Sequence, residues 1–135
     1  DGHVSIWVSI APLSRIPEDY FAERYGDEDV PLTKFYGDFG FGYFDHDFLE
    51  TNASAGRATT IENLLEPCSF STSYIEAATA IAKNRSIEKS QCVVLLYHFQ
   101  YDPKVTKISK SRYMQFLGSV PFDTQATSVI PSILE

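Results

Sequence analysis

Residues 91–101 (QCVVLLYHFQY) form an almost unbroken apolar run rich in β-prone side chains. A strand with one wet face alternates polar and apolar residues. An unbroken run instead requires cover on both faces, which predicts a central strand between two packed layers. Residues 3–11 (HVSIWVSIA) add a second strand of a different kind. Here Val4, Ile6 and Val8 share one face, and Ser5, Trp7 and Ser9 share the other. A tryptophan among small polar neighbours predicts that this second face is also covered, at least in part. With 135 residues the chain can bury the core that such a sandwich needs.

The rest of the chain reads as helices, turns and one more long strand. Pro12 and Ser14 end the first strand, and Ser14 or Pro17 opens a predicted helix to about Tyr25, with Glu18 and Asp19 in its first turn. Gly26 then stops it. A short helix is predicted over residues 32–39, and an extended segment from Tyr43 to Thr51. In that segment Asp45 and Asp47 share one face, and Phe44, His46 and Phe48 the other. Residues 52–58 (NASAGRA) read as a mobile loop. Thr59 or Thr60 caps a helix that Pro67 ends near Glu66. A longer helix over 71–84 carries a stripe of Tyr74, Ile75, Ala78 and Ile81. Asp102-Pro103 marks a turn, and the basic stretch 105–111 an exposed connection or strand edge. Residues 112–120 form a last strand, bent or bulged at Gly118. The two final strands are close enough in sequence to pair antiparallel. The expected architecture is α+β: a single domain with a largely antiparallel or mixed sheet covered by helices. Its expected limits are residues 3–122, followed by a tail, 123–135, that docks or frays.

Charge is unevenly placed. Residues 1–50 hold eleven acidic and three basic side chains, whereas residues 51–135 hold seven and eight, so the net charge of −7 lies in the first half. This argues against nucleic acid as a direct partner, because phosphate binding needs clustered Lys and Arg. It favours a basic protein partner, drawn in by long-range attraction. No apolar run approaches the length of a membrane span. The opening residues lack the basic region of a signal peptide. Cys68 and Cys92 are too few and too separated for a disulfide scaffold, and Cys92 opens the apolar run as a small buried hydrophobe. A reducing cytoplasm is the expected compartment.

Residues 35–50 (FYGDFGFGYFDHDFLE) concentrate seven of the nineteen aromatic residues among four acidic ones. Such a mixture suits an ordered, partly exposed recognition surface. It suits catalysis less well. The glycines near Asp38 alternate with bulky rings and make a poor phosphate cradle. On an extended chain His46 points away from Asp45 and Asp47, so one metal could not take all three. His98, inside the apolar run, reads as a core histidine. No nucleophile motif, metal set or cofactor loop assembles. The expectation is a protein without enzymatic activity and without a cofactor or metal. The alternatives are a small hydrolase or metal-dependent enzyme using the Asp45-His46-Asp47 region or His98, and a regulatory interaction domain.

The ordered combination of VSIWVS (4–9), the stretch from Tyr20 to Tyr25, an acidic loop, FYGDFG, YFDHDFLE, SFSTSYIEAA, CVVLLYHFQYD and YMQFLGSVPF resembles the bacterial immunity protein 22 family. The resemblance covers about residues 3–122, with Ser9 where the pattern leads one to expect glycine. It implies a cytoplasmic antidote of a polymorphic toxin system, which binds a cognate toxin domain and neutralises it. A nuclease toxin would present a basic surface to such an inhibitor. The expected toxin-facing charges are Asp27, Glu28, Asp29, Asp38, Asp45, Asp47 and Glu50, with Tyr36 and Tyr43 as anchors. Phe39, Phe41, Phe44 and Phe48 are expected to hold the segment to the core.

Overall fold

A computed structural model describes residues 2–23, 33–41 and 46–130. In chain order its regular elements are β1 (His3–Ser9), α1 (Lys34–Asp38), β2 (Leu49–Ala53), β3 (Thr59–Thr60), α2 (Ile61–Leu65), α3 (Ile75–Asn84), β4 (Lys89–Ser90), β5 (Cys92–Tyr97), α4 (Pro103–Thr106) and β6 (Met114–Pro121). Short 3-10 turns occupy Leu13–Arg15, His46–Phe48 and Ser71–Ser73. The main sheet has the order β2-β5-β1-β6, and every neighbouring pair is antiparallel. β3 and β4 make a separate two-stranded ladder. The architecture is α+β, as expected.

Alternation in β1 decides the layering. Val4, Ile6 and Val8 join Val93, Leu95, Tyr97, Leu117 and Val120 on the face covered by α2 and α3. Trp7 lies on the opposite face among Val94, Leu96, Met114, Phe116, Tyr20, Phe35, Tyr36, Phe39 and Tyr101. All six residues of β5 are buried, which is what its unbroken apolar run demands. The small polar residues of β1 are buried with partners. The Ser5 hydroxyl lies 2.7 Å from both the Phe99 carbonyl and the Ser119 hydroxyl, and it accepts from the Tyr101 N–H at 2.9 Å. Ser9 lies 2.7 Å from the Ser90 hydroxyl, so the position where a glycine was expected carries a buried hydroxyl pair.

Several local expectations change. β5 and β6 do not pair with each other, because β1 lies between them and bonds to both. That insertion lets Trp7 and Ile6 each reach a layer, and it buries both edges of β1. The helix expected from Ser14 or Pro17 to Tyr25 does not form in its described part. The chain makes a 3-10 turn and then i+3 turns, Tyr20 N–H to Pro17 carbonyl and Ala22 N–H to Asp19 carbonyl. The Tyr20 carbonyl instead accepts from the Phe35 N–H at 3.2 Å, and its ring is buried against Phe21, Phe35 and Tyr113. Tertiary packing overrides helix propensity here. Of the extended stretch expected over 43–51, residues 43–45 lie outside the described residues, 46–48 is a turn, and the strand runs from Leu49. Asn52 and Ala53, expected in a loop, belong to β2, and the Asn52 amide donates to the Leu64 carbonyl at 2.8 Å. Thr60 caps α2 by accepting from the Asn63 N–H, as expected. Asp102 likewise caps α4, so the turn expected at Asp102-Pro103 is one turn of helix that runs into the stretch expected as an exposed connection or strand edge.

The irregularity expected at Gly118 is a bulge. Ile6 pairs with Gly118 and Trp7 with Phe116, leaving Leu117 as the extra residue. Gly118 makes room for α3: a Cβ there would lie 3.0 Å from the Ile81 methyl. The carbonyls of Phe116 and Leu117 accept from the Arg85 guanidinium at 2.5 and 2.7 Å. Arg85 thus pins the end of α3 to the bulge. Arg85→Ala is expected to lower stability by about 1–3 kcal/mol in urea denaturation, with Arg85→Lys recovering only part, because a single ammonium lacks the guanidinium fork. The tail is docked through residue 130. Thr72 N–H donates to the Thr127 carbonyl, Val129 N–H to the Ser71 hydroxyl and Ile130 N–H to the Glu66 carbonyl.

Candidate functional site

The aromatic-acidic stretch folds onto both faces of the sheet. Thr33 caps α1 by accepting from the Tyr36 N–H at 3.0 Å. That short helix places Phe35, Tyr36 and Phe39 in the core around Trp7. Tyr36 has no exposed surface, and its ring packs on Phe41 at 4.8 Å. It is a core residue here, not the surface anchor expected. Asp38 is exposed and accepts from the Tyr20 hydroxyl at 2.6 Å. Burial, and then the Asp38 hydrogen bond, push that phenol far above its usual pKa. Asp27, Glu28, Asp29, Tyr43 and Asp45 lie outside the described residues, as do Phe44 and the side chain of His46.

Glu50 and Asp47 belong to a different place. β2 carries Glu50 to the helix-covered side, where its carboxylate accepts from the Tyr97 hydroxyl at 2.6 Å. It also accepts from the Ser69 N–H, at 3.0 and 3.3 Å to its two oxygens, and from the Ser69 hydroxyl at 3.4 Å. These donors tie β2, β5 and the turn after α2 together. Tyr97 lies 3.2 Å from the Tyr74 hydroxyl and 3.0 Å from the Ser69 carbonyl. Burial raises the pKa of both phenols well beyond the usual tyrosine value, and the nearby Glu50 charge adds to it. Since Asp38 joins the Trp7 layer and Glu50 the α2–α3 layer, the described candidates do not make one patch.

Around Glu50 the surface opens into a cleft of about 410 Å³ lined by Asp47, Phe48, Leu49, Glu50, Ser69, Phe70, Tyr97 and His98. His98 is not a core histidine. β5 ends at Tyr97, and His98 turns the chain with φ 62°, leaving its ring exposed between Phe48 at 5.0 Å and Phe122 at 5.1 Å. Phe48, expected to pack inside, is 40 % exposed. Ser69, Phe70 and Tyr97 were not legible as site residues. They read as loop and core, and only the left-handed backbone at Phe70, φ 62°, turns that loop toward Glu50.

The chemistry available is that of a positioned anion beside aromatic rings. The Ser69 hydroxyl donates to Glu50 only at 3.4 Å, a long contact. Cys68 and Cys92 are free and buried, and burial pushes their thiols up to about 12 and about 11. At neutral pH they are inert. Among the described residues no group of three or more His, Cys, Asp or Glu side chains is placed to hold a metal ion. No helix among them is long and apolar enough to cross a membrane.

No curated protein and no solved structure matches the chain. The sequence profile of a family described as Immunity protein 22 matches residues 4–123. That match runs from β1 past the end of β6 and takes in every regular element of the fold. The chain therefore belongs to the immunity protein 22 family.

Proposed function

We propose that this protein binds a cognate bacterial toxin domain and neutralises it, acting in the cytoplasm of the producing cell and without catalysis of its own. The carrying observation is the family match over residues 4–123. The charge distribution supports a basic partner, such as a nuclease of a polymorphic toxin system, since the first fifty residues hold eleven acidic side chains against three basic ones. On this reading residues 3–122 are the binding domain and 123–135 an appended tail. The contact candidates are Asp27, Glu28, Asp29, Asp38, Asp45, Asp47, Glu50 and Tyr43. Tyr36 leaves that set unless the core opens.

The test is co-expression with the toxin domain encoded by the neighbouring gene. Cells are expected to survive only when this chain is present, and the two purified proteins to form a complex. Reversing charge at Asp45 and Asp47 is expected to weaken that complex about tenfold or more while leaving the thermal melt unchanged. A wild-type chain that neither binds nor protects would overturn the assignment.

A further inference from the structure

The cleft around Glu50 has the chemistry of a receptor for one kind of side chain. Its acid is held in place by the Tyr97 hydroxyl and by Ser69, so it needs no reorganisation to meet a cation. Its shorter contacts fall on Oε1, while Oε2 accepts only at 3.3 and 3.4 Å and retains acceptor capacity. The exposed Asp47 adds a second charge at the rim. Phe48 and Phe70 line the same space, so two aromatic residues and the carboxylate border one concavity.

Backbone strain marks the place independently. Four described non-glycine residues have positive φ: Phe70, Ser86, His98 and Lys107. Ser86 and Lys107 follow helix ends, where a left-handed residue is ordinary. Phe70 and His98 are bulky, and both line the cleft. For a bulky side chain such as Phe70 this conformation is unusual and costs free energy, whereas histidine adopts it more readily. Each ring is then held by others: Phe70 against Tyr97 at 5.5 Å and Phe122 at 5.6 Å, His98 against Phe48 and Phe122.

Resting on the toxin-binding reading, we infer that this cleft receives an arginine side chain from the toxin. The guanidinium meets the Glu50 carboxylate and lies against the Phe48 and Phe70 rings. A planar, weakly hydrated cation fits an acid flanked by aromatic faces better than a compact ammonium does. Desolvated contacts of this sort dominate protein interfaces, which makes the cleft an anchor point rather than a rim contact.

Two arms test it. In the first, the isotope-labelled protein is titrated with N-acetyl-arginine methylamide and, separately, with the uncharged citrulline analogue. The arginine compound is expected to shift the resonances of Phe48, Glu50, Phe70 and His98 saturably, with a dissociation constant on the order of millimolar. The citrulline analogue is not. Glu50→Gln, which keeps an acceptor for Tyr97, and Phe48→Leu, which keeps apolar bulk, should each weaken the response about fivefold or more. An equal response to citrulline, or indifference to Glu50→Gln, overturns the inference. In the second arm the same variants are measured against the neighbouring gene's toxin domain, where a loss of about tenfold or more is expected. Tight capture by wild type and both variants alike sinks the arginine cleft and leaves immunity standing. No capture even by wild type sinks immunity, and the small-molecule arm then decides the cleft alone.

Discussion

Raising the pH from neutrality to about 11 is expected to unfold the protein cooperatively. Burial lifts Cys68 from 9.0 to about 12 and Cys92 from 9.0 to about 11. It also lifts Tyr20, Tyr74 and Tyr97 above their ordinary value of 10.0. All five groups prefer the protonated form in the folded state. Their stabilisation is therefore complete below the unfolded values and is lost as pH rises toward the folded ones. Each group that ionises only when unfolded adds a slope of about 1.4 kcal/mol per pH unit. By pH 11 the combined loss is on the order of 9 kcal/mol, comparable with the whole stability of a typical domain, about 5–15 kcal/mol. The tyrosinate absorbance of these three buried phenols and the loss of circular dichroism should rise together in one transition. Ionisation of Tyr20, Tyr74 and Tyr97 near pH 10 with the dichroism intact would contradict their burial, beside Asp38 for the first and beside Glu50 for the other two.

Trp7→Ala is expected to cost about 3–5 kcal/mol, the range for deleting a buried large aromatic. Trp7 is fully buried, and five rings pack on it: Phe35 at 5.1 Å, Phe39 at 5.6 Å, Phe41 at 6.3 Å, Tyr101 at 5.2 Å and Phe116 at 5.1 Å. These rings come from α1, its following turn, the segment after β5, and β6. Removing the indole leaves a cavity that none of them can fill without disturbing the others. Urea denaturation should show a lower midpoint at an unchanged slope. Val105→Ala serves as the control. That side chain is 77 % exposed, and its loss should change stability by no more than about 0.5 kcal/mol. A similar small effect at Trp7 would mean that the aromatic layer is not the organising core.

The two strands that organise the sheet were readable because their patterns report burial directly. In β1 each second residue shows which side of the sheet it faces, and Trp7 announced the second layer. In β5 the unbroken run announced two covered faces. Caps were readable too, because Thr60 and the N–H of Asn63 are neighbours in the chain. The family was legible from ordered motifs spread along most of the chain. The site was legible only in part. Glu50 and Asp47 stood out by composition, but the same segment misled at Tyr36 and Phe48, whose positions are the reverse of those expected. A hydroxyl does not decide exposure. The five-residue helix that points Tyr36 inward and the turn that lifts Phe48 outward do.

What the sequence determined by itself, then, is strands β1, β5 and β6, the need for two layers, the excess of acid in the first half and the family. These follow from burial periodicity, from charge and from ordered motifs, which need no partner in space to be read. Tertiary structure alone decided that β1 lies between β5 and β6, that Tyr20 turns toward Phe35 instead of continuing a helix, and that Glu50 meets Tyr97 and Ser69. Each of those joins groups far apart in the chain. Their energies depend on which surfaces meet, and local propensities of a few tenths of a kcal/mol per residue are too small to resist them.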